Sequence, residues 1–125
     1  MSISTILKQK QLILDGAMGT MLPKVEGTEE EKVRKIHKMY VDAGADFITT
    51  STFTDNALEN IEEHSTRFVK IAREVTDEAG RKVYVLGSVG PASFSLTMQE
   101  DASFDVLQTA YKRQIKAMAD RKSVV

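Results

Sequence analysis

The stretch Gln11–Leu22 reads QLILDGAMGTML, and it decides the fold class predicted for this 125-residue chain. Its short apolar run, Leu12–Leu14, is typical of a strand buried on both faces of a parallel sheet. Asp15 follows directly, and Gly16 and Gly19 then favour a turn. A carboxylate at the carboxyl end of such a strand lies where parallel α/β folds keep their sites. Asp-Gly is also a common turn signal, so a purely structural role for Asp15 is the alternative.

The same strand pattern recurs twice more along the chain. The three apolar segments are centred near Ile13, Ile48 and Val85, and the second is predicted to run from Asp46 to Phe53. Their spacing of about 35 residues is the size of a βα unit. No linker or low-complexity segment interrupts the pattern. The sequence therefore predicts an α/β fold of alternating βα units with parallel strands, organised as one block.

Helical patterns fill the intervals between these strand candidates. Thr28–Glu31 reads as a capping box, which starts a helix that Gly44 is placed to end. A long apolar stripe follows the second strand and closes at Gly80, with Thr54 or Asp55 as its expected cap. After a polar loop over 92–101, a last helix is predicted from apolar residues at helical spacing. These residues are Phe104, Leu107, Tyr111, Ile115 and Met118.

Two further motifs accompany the second and third strand candidates. Residues 43–53 read AGADFITTSTF, and residues 87–91 read GSVGP. Together with DGAMGT at residues 15–20, and in this order, they resemble the homocysteine S-methyltransferase family, which includes cobalamin-dependent methionine synthases. The family pattern has Glu where this chain has Thr49, and Asn where it has Ser51. The first of these differences removes a charge.

The resemblance implies a partial barrel. A (β/α)₈ TIM barrel typically needs about 250 residues, so the chain resembles the first three units of one, in truncated form. Residues 1–125 are predicted to form a single partial homocysteine-binding barrel domain. The segment 120–125 has a basic pair where the family has a glycine-containing loop and a fourth strand, so a disordered or altered tail is expected there.

The resemblance also implies a reaction. In a full-length parent, the domain binds homocysteine, and a methyl group is transferred to its sulfur to give methionine. Zinc held by three cysteines late in the barrel binds the thiolate, and multidomain members use cobalamin and methyltetrahydrofolate. This sequence contains no cysteine. The chain alone is therefore expected to lack metal ligands, cofactors and catalytic residues, and to be inactive.

The strand ends and the resemblance together nominate seven substrate-binding residues. They are Asp15, Gly16, Thr50, Ser51, Thr52, Gly87 and Ser88. Asp15 is expected to pair with the ammonium group of homocysteine, while hydroxyls and backbone amides meet its other polar groups. For the threonines, strand propensity and capping are the structural alternative.

Composition excludes several other classes of partner. The formal net charge of -1 gives no electrostatic case for nucleic acid or an anionic membrane. The amino terminus lacks the apolar core of a signal peptide, so a cytoplasmic location is expected. His37 and His64 fall on separate predicted helices without HExxH spacing, and are expected to be surface or boundary residues rather than metal ligands.

A non-catalytic α/β module is the alternative function. Three parallel strands cannot close a barrel, and unpaired sheet edges pair readily with another chain. Such a module would self-associate through its open edges, or bind a partner or a small ligand.

Overall fold

The computed structural model describes residues 2–55, 59–91 and 104–119. Its helices are α1 (Ile3–Gln9), α2 (Glu29–Asp42), α3 (Ile61–Asp77) and α4 (Phe104–Ala119), with a 3₁₀ turn at Leu22–Lys24. Its strands are β1 (Phe47–Thr49) and β2 (Tyr84–Leu86). The predicted loop over 92–101 and the predicted tail over 120–125 lie outside the described residues.

The described strands form a parallel sheet. β1 pairs with β2 in a register that places Ile48 beside Val85. On its other side, Phe47 forms a parallel bridge with Leu14, and the Asp15 N–H donates to the Phe47 carbonyl at 3.1 Å. The order across the sheet is therefore the Leu14 segment, β1 and β2. Helices alternate with these segments, which confirms the predicted α/β class.

The first two strand predictions were wrong in extent. The Leu12–Leu14 segment makes a single bridge instead of a buried strand, and Ile13 and Leu14 are 63% and 56% exposed. A continuous apolar run is buried only when a neighbour covers each face, and no described element covers this edge of the sheet. The second strand ends at Thr49 rather than at Phe53.

The helix ends follow their local sequence signals. The Glu31 N–H donates to Thr28 Oγ1 at 3.2 Å, and the Thr28 N–H donates to Glu31 Oε2 at 3.1 Å, which confirms the predicted capping box. Gly44 follows α2 with φ of +107°, and Gly80 follows α3 with φ of +72°. Because L side chains rarely adopt these angles, glycine is the residue that suits both positions.

Two apolar clusters form the core of the described residues, one between the helices and the sheet and one between two helices. The first joins β1 and β2 to α2 and α3 through Val41, Ile48, Ala72, Val75, Val83 and Val85. The second joins α2 and α3 through Val33, Phe68 and Ile71, with Met18 and Leu22 packed against it.

On α4 the predicted apolar stripe is only partly right, because Phe104 and Ile115 are exposed. Gln114, Ala117 and Met118 form its buried face.

Gly90 marks a close approach between two loops. A Cβ atom at Gly90 would overlap the carbonyl oxygen of Phe53 and lie 3.0 Å from two carbons of the Phe53 ring. The chain that leaves β2 therefore touches the backbone of the chain that leaves β1. Glycine is needed here for space, since the obstacle is a backbone atom.

His37 corrects the expectation that both histidines lie at or near the surface. It is fully buried on α2, and neither ring nitrogen has a hydrogen-bond partner. Burial lowers the pKa of His37 to about 4, and the positive charge of Arg34 acts in the same direction. The imidazole is therefore neutral at pH 7 and behaves as part of the core.

We expect the free energy of unfolding to fall as the pH is lowered through the range from 6.5 to 4. In that range the unfolded chain binds the His37 proton near its ordinary pKa of 6.5, whereas the folded chain does not. The loss between pH 7 and pH 5 should be about 2 kcal/mol. Urea unfolding at both pH values measures it. His37→Leu should remove most of this loss, and an unchanged loss in the variant would contradict the assignment.

Candidate functional site

A cavity of about 930 Å³ opens at the carboxyl ends of the Leu14 segment and β1. It is lined by five of the predicted site residues, which are Asp15, Gly16, Thr50, Ser51 and Ser88. Thr52 and Gly87 do not line it. Strand ends of a parallel sheet meet at one edge, so segments distant in sequence supply this one cavity.

Asp15 is held in a fixed orientation by Thr49. The Thr49 hydroxyl donates to Asp15 Oδ1 at 2.8 Å, and the Thr49 N–H donates to Asp15 Oδ2 at 2.9 Å. Burial raises the pKa of the Asp15 carboxyl above its ordinary value, and these two hydrogen bonds oppose that rise. The result is a half-buried carboxylate with its two oxygens fixed beside β1.

Sequence reasoning treated Thr49 only as a departure from the family pattern. The structure shows instead that it is the hydrogen-bond partner of Asp15. The available signal was positional: Thr49 ends one strand, Asp15 ends its neighbour, and parallel strand ends lie side by side. Thr49 also lines the cavity.

A buried polar network ties the exits of the two strands to α4. The Ser88 N–H donates to Thr50 Oγ1 at 3.0 Å, and the Thr52 hydroxyl donates to the Ser88 carbonyl at 2.8 Å. From α4, Gln114 Nε2 donates to the Thr52 carbonyl at 2.6 Å. Thr52 is fully buried. Its hydroxyl is occupied within the fold, so it supports the cavity from behind.

Asp55 and His64 form a second polar group in the cavity wall. Asn60, rather than Thr54 or Asp55, is the cap residue of α3, so that expectation was wrong. Asp55 is 1% exposed and accepts a hydrogen bond from the Ser65 hydroxyl at 2.7 Å. Its other oxygen lies 2.8 Å from His64 Nδ1, within ion-pair distance although not aligned as a hydrogen bond.

The described residues do not fit a zinc centre of the kind that the resemblance implies. The sequence contains no cysteine, and residues 2–55, 59–91 and 104–119 bring no three His, Cys, Asp or Glu side chains together for a metal ion. Cysteine thiolates are the ligands that such a site requires.

No helix within the described ranges has the length and apolar character needed to cross a membrane.

Comparison with known families accounts for the strand-end motifs. A family model described as homocysteine S-methyltransferase matches residues 12–123. The chain belongs to this family. It is 33% identical over 143 aligned positions to methionine synthase of Mycobacterium tuberculosis, and 32% identical over 142 to that of Mycobacterium leprae. These alignments cover 92% and 91% of the chain, which spans only 12% of each methionine synthase.

Solved structures of the homocysteine methyltransferase MmuM from Escherichia coli share the fold. Its oxidised form superposes with a TM-score of 0.71 at 23% identity, covering 94% of this chain and 52% of that one. Its metallated form gives 0.69 at 21% identity, covering 95% and 54%. At these identities the likeness concerns the fold alone, and it supports the predicted resemblance to part of a (β/α)₈ barrel.

We expect Thr49→Val to raise the pKa of Asp15 further. The substitution removes the hydroxyl that donates to Oδ1 while keeping the β-branched shape and the backbone N–H. Carboxyl ¹³C NMR titration of Asp15 measures the change. Thr49→Ser retains a hydroxyl and is the matched control, so its Asp15 should titrate as in the unmodified chain. Equal titration curves in all three proteins would show that the hydroxyl does not act on Asp15.

Proposed function

We propose that the cavity binds homocysteine and that Asp15 receives its ammonium group. The observation that supports this most directly is the orientation of the Asp15 carboxylate by Thr49 at the mouth of the parallel sheet. Membership of the homocysteine S-methyltransferase family supplies the substrate class.

The hydrogen-bonding capacity of Asp15 suits this role. An ionised carboxylate offers about four lone-pair sites, and Thr49 uses one on each oxygen. The remaining sites can accept from an ammonium group. A cation beside the half-buried carboxyl would also lower its pKa, which burial now raises. Ligand binding and ionisation of Asp15 therefore favour each other.

Other cavity residues complement the amino-acid end of the ligand. Ser51 and Ser88 bring a hydroxyl each to the lining, and Gly16 and Thr50 complete the part nearest the strand ends. Thr52, also nominated from sequence, supports these positions through its hydrogen bond to the Ser88 carbonyl, and Gly87 directly precedes Ser88 in the chain. Apolar contact with the ligand's carbon chain falls to Leu14 and Met18 in this proposal.

Methyl transfer to the homocysteine sulfur, which gives methionine, is proposed for a full-length parent. Zinc, cobalamin and methyltetrahydrofolate would act there through other parts of that protein. The chain alone supplies binding and orientation of the amino acid, without catalytic turnover. A cytoplasmic location is part of the same proposal.

We expect Asp15→Asn to weaken homocysteine binding by about tenfold or more, because a charge-assisted hydrogen bond is lost. Isothermal titration calorimetry of the chain, with and without added zinc, measures the affinity. Asp42→Asn removes the same charge from an exposed position at the end of α2 and is the matched control. Equal affinity of Asp15→Asn and the unmodified chain would refute the assignment of Asp15.

The open edge of the sheet favours a second candidate, a self-associating module. Ile13 and Leu14 are exposed at this edge, and the segment pairs with β1 through a single bridge. An exposed apolar sheet edge favours pairing with another chain.

We expect the chain to form oligomers and Ile13→Lys to reduce them, since a charged side chain blunts a sheet edge. Sedimentation velocity measures the distribution of masses. Leu7→Lys places the same charge on α1, at a residue of similar exposure, and should leave the distribution unchanged. A monomer at all concentrations would exclude this candidate.

A further inference from the structure

His64 is the one residue that can carry positive charge among the described residues lining the cavity. The same lining holds three carboxylates, those of Asp15, Glu29 and Asp55. A zwitterionic amino acid has an ammonium group and a carboxylate. The three acidic side chains suit the ammonium group, but they would repel the carboxylate. The carboxylate needs a hydrogen-bond donor, and among the described lining residues His64 is the side chain whose donor can also carry positive charge.

The surroundings of His64 fix the orientation of its ring. Nδ1 is buried and faces Asp55 Oδ1 at 2.8 Å. One ring face stacks on Phe68, with centroids 4.3 Å apart and planes inclined by 27°. Ser65 in turn holds the second oxygen of Asp55. Nδ1 is therefore engaged with Asp55, while His64 also lines the cavity, so Nε2 is the ring nitrogen considered for a ligand.

We propose that His64, positioned by Asp55, contacts the ligand in this cavity as the imidazolium, whose Nε2–H donates to the ligand's carboxylate while Nδ1–H faces Asp55. This inference rests on the proposed function, since it takes the ligand to be an amino acid. It adds a specificity determinant: Asp15 selects the ammonium group and His64 selects the carboxylate. Ligands that lack either group should bind less tightly.

The three strand-end motifs do not contain this residue. His64 lies in the first turn of α3, outside residues 15–20, 43–53 and 87–91. Asp55, which follows β1 in the chain, contacts both His64 and Ser65 near the start of α3. The contact is therefore a product of tertiary structure.

Three probes separate the groups of the ligand. Homocysteine carries ammonium, carboxylate and thiol; its decarboxylated analogue, an aminopropanethiol, lacks the carboxylate; butyrate carries the carboxylate without the ammonium. The proteins to compare are the unmodified chain, His64→Leu and His64→Gln. Lys70→Gln, which removes a positive charge from an exposed position on α3, is the matched control.

We expect His64→Leu to weaken homocysteine binding by about tenfold to a hundredfold, the usual effect of losing a hydrogen bond to a charged group. Binding of the aminopropanethiol should be unchanged. His64→Gln keeps a donor and should recover part of the loss, and Lys70→Gln should match the unmodified chain. Equal weakening of homocysteine and the aminopropanethiol by His64→Leu would show a role in cavity shape alone and overturn the proposal, as would no weakening of homocysteine.

Imidazole NMR signals give a second readout that does not depend on tight binding. The chain has two histidines, and the buried His37 serves as the internal reference. Millimolar homocysteine or butyrate should shift the His64 signal and leave that of His37 in place. The aminopropanethiol, which lacks the carboxylate, should not shift the Nε2 signal of His64. No shift of His64 with either carboxylate overturns the proposal. A shift with butyrate but no binding of homocysteine would instead reject the proposed function and retain the carboxylate contact.

Discussion

Parallel pairing on both sides of Phe47 is the constraint on which the site depends. Leu14 lies beside Phe47 on one side and Tyr84 on the other. Because all three segments run in the same direction, their carboxyl ends emerge at one edge of the sheet. Asp15, Thr49 and the chain near Ser88 are thereby brought to a common cavity, although they are more than thirty residues apart in sequence. A shift of one residue in this register would turn each side chain to the opposite face.

Much of this arrangement could be predicted from sequence because its signals are local. The capping box at Thr28, the glycines that follow α2 and α3, and the apolar spacing of α3 each act within a few residues. The order of three strand-end motifs added the family, and with it the resemblance to part of a (β/α)₈ barrel. A carboxylate after a short apolar run, taken together with the family resemblance, nominated Asp15, which lines the cavity.

The remaining features depend on contacts between distant segments. Nothing around His37 distinguishes it from a surface histidine of an amphipathic helix, yet it is fully buried. Ile13 and Leu14 read as a buried strand, but burial depends on neighbours that a local pattern does not contain. Asp55 looked like a helix cap and instead reaches Ser65 and His64 within the fold. In each case the sequence shows the residue type, but it does not show which residues contact it in the fold.

The close approach at Gly90 limits how this region can vary. The backbone at Gly90 lies against the carbonyl oxygen of Phe53. Neither of the loops that leave β1 and β2 can therefore move toward the other at this point. An insertion in either loop that moved its backbone would have to be matched in the other. In loop exchange among related barrels, these two loops would therefore be transferred as a pair, and chimaeras that take only one would carry a clash at the mouth of the cavity.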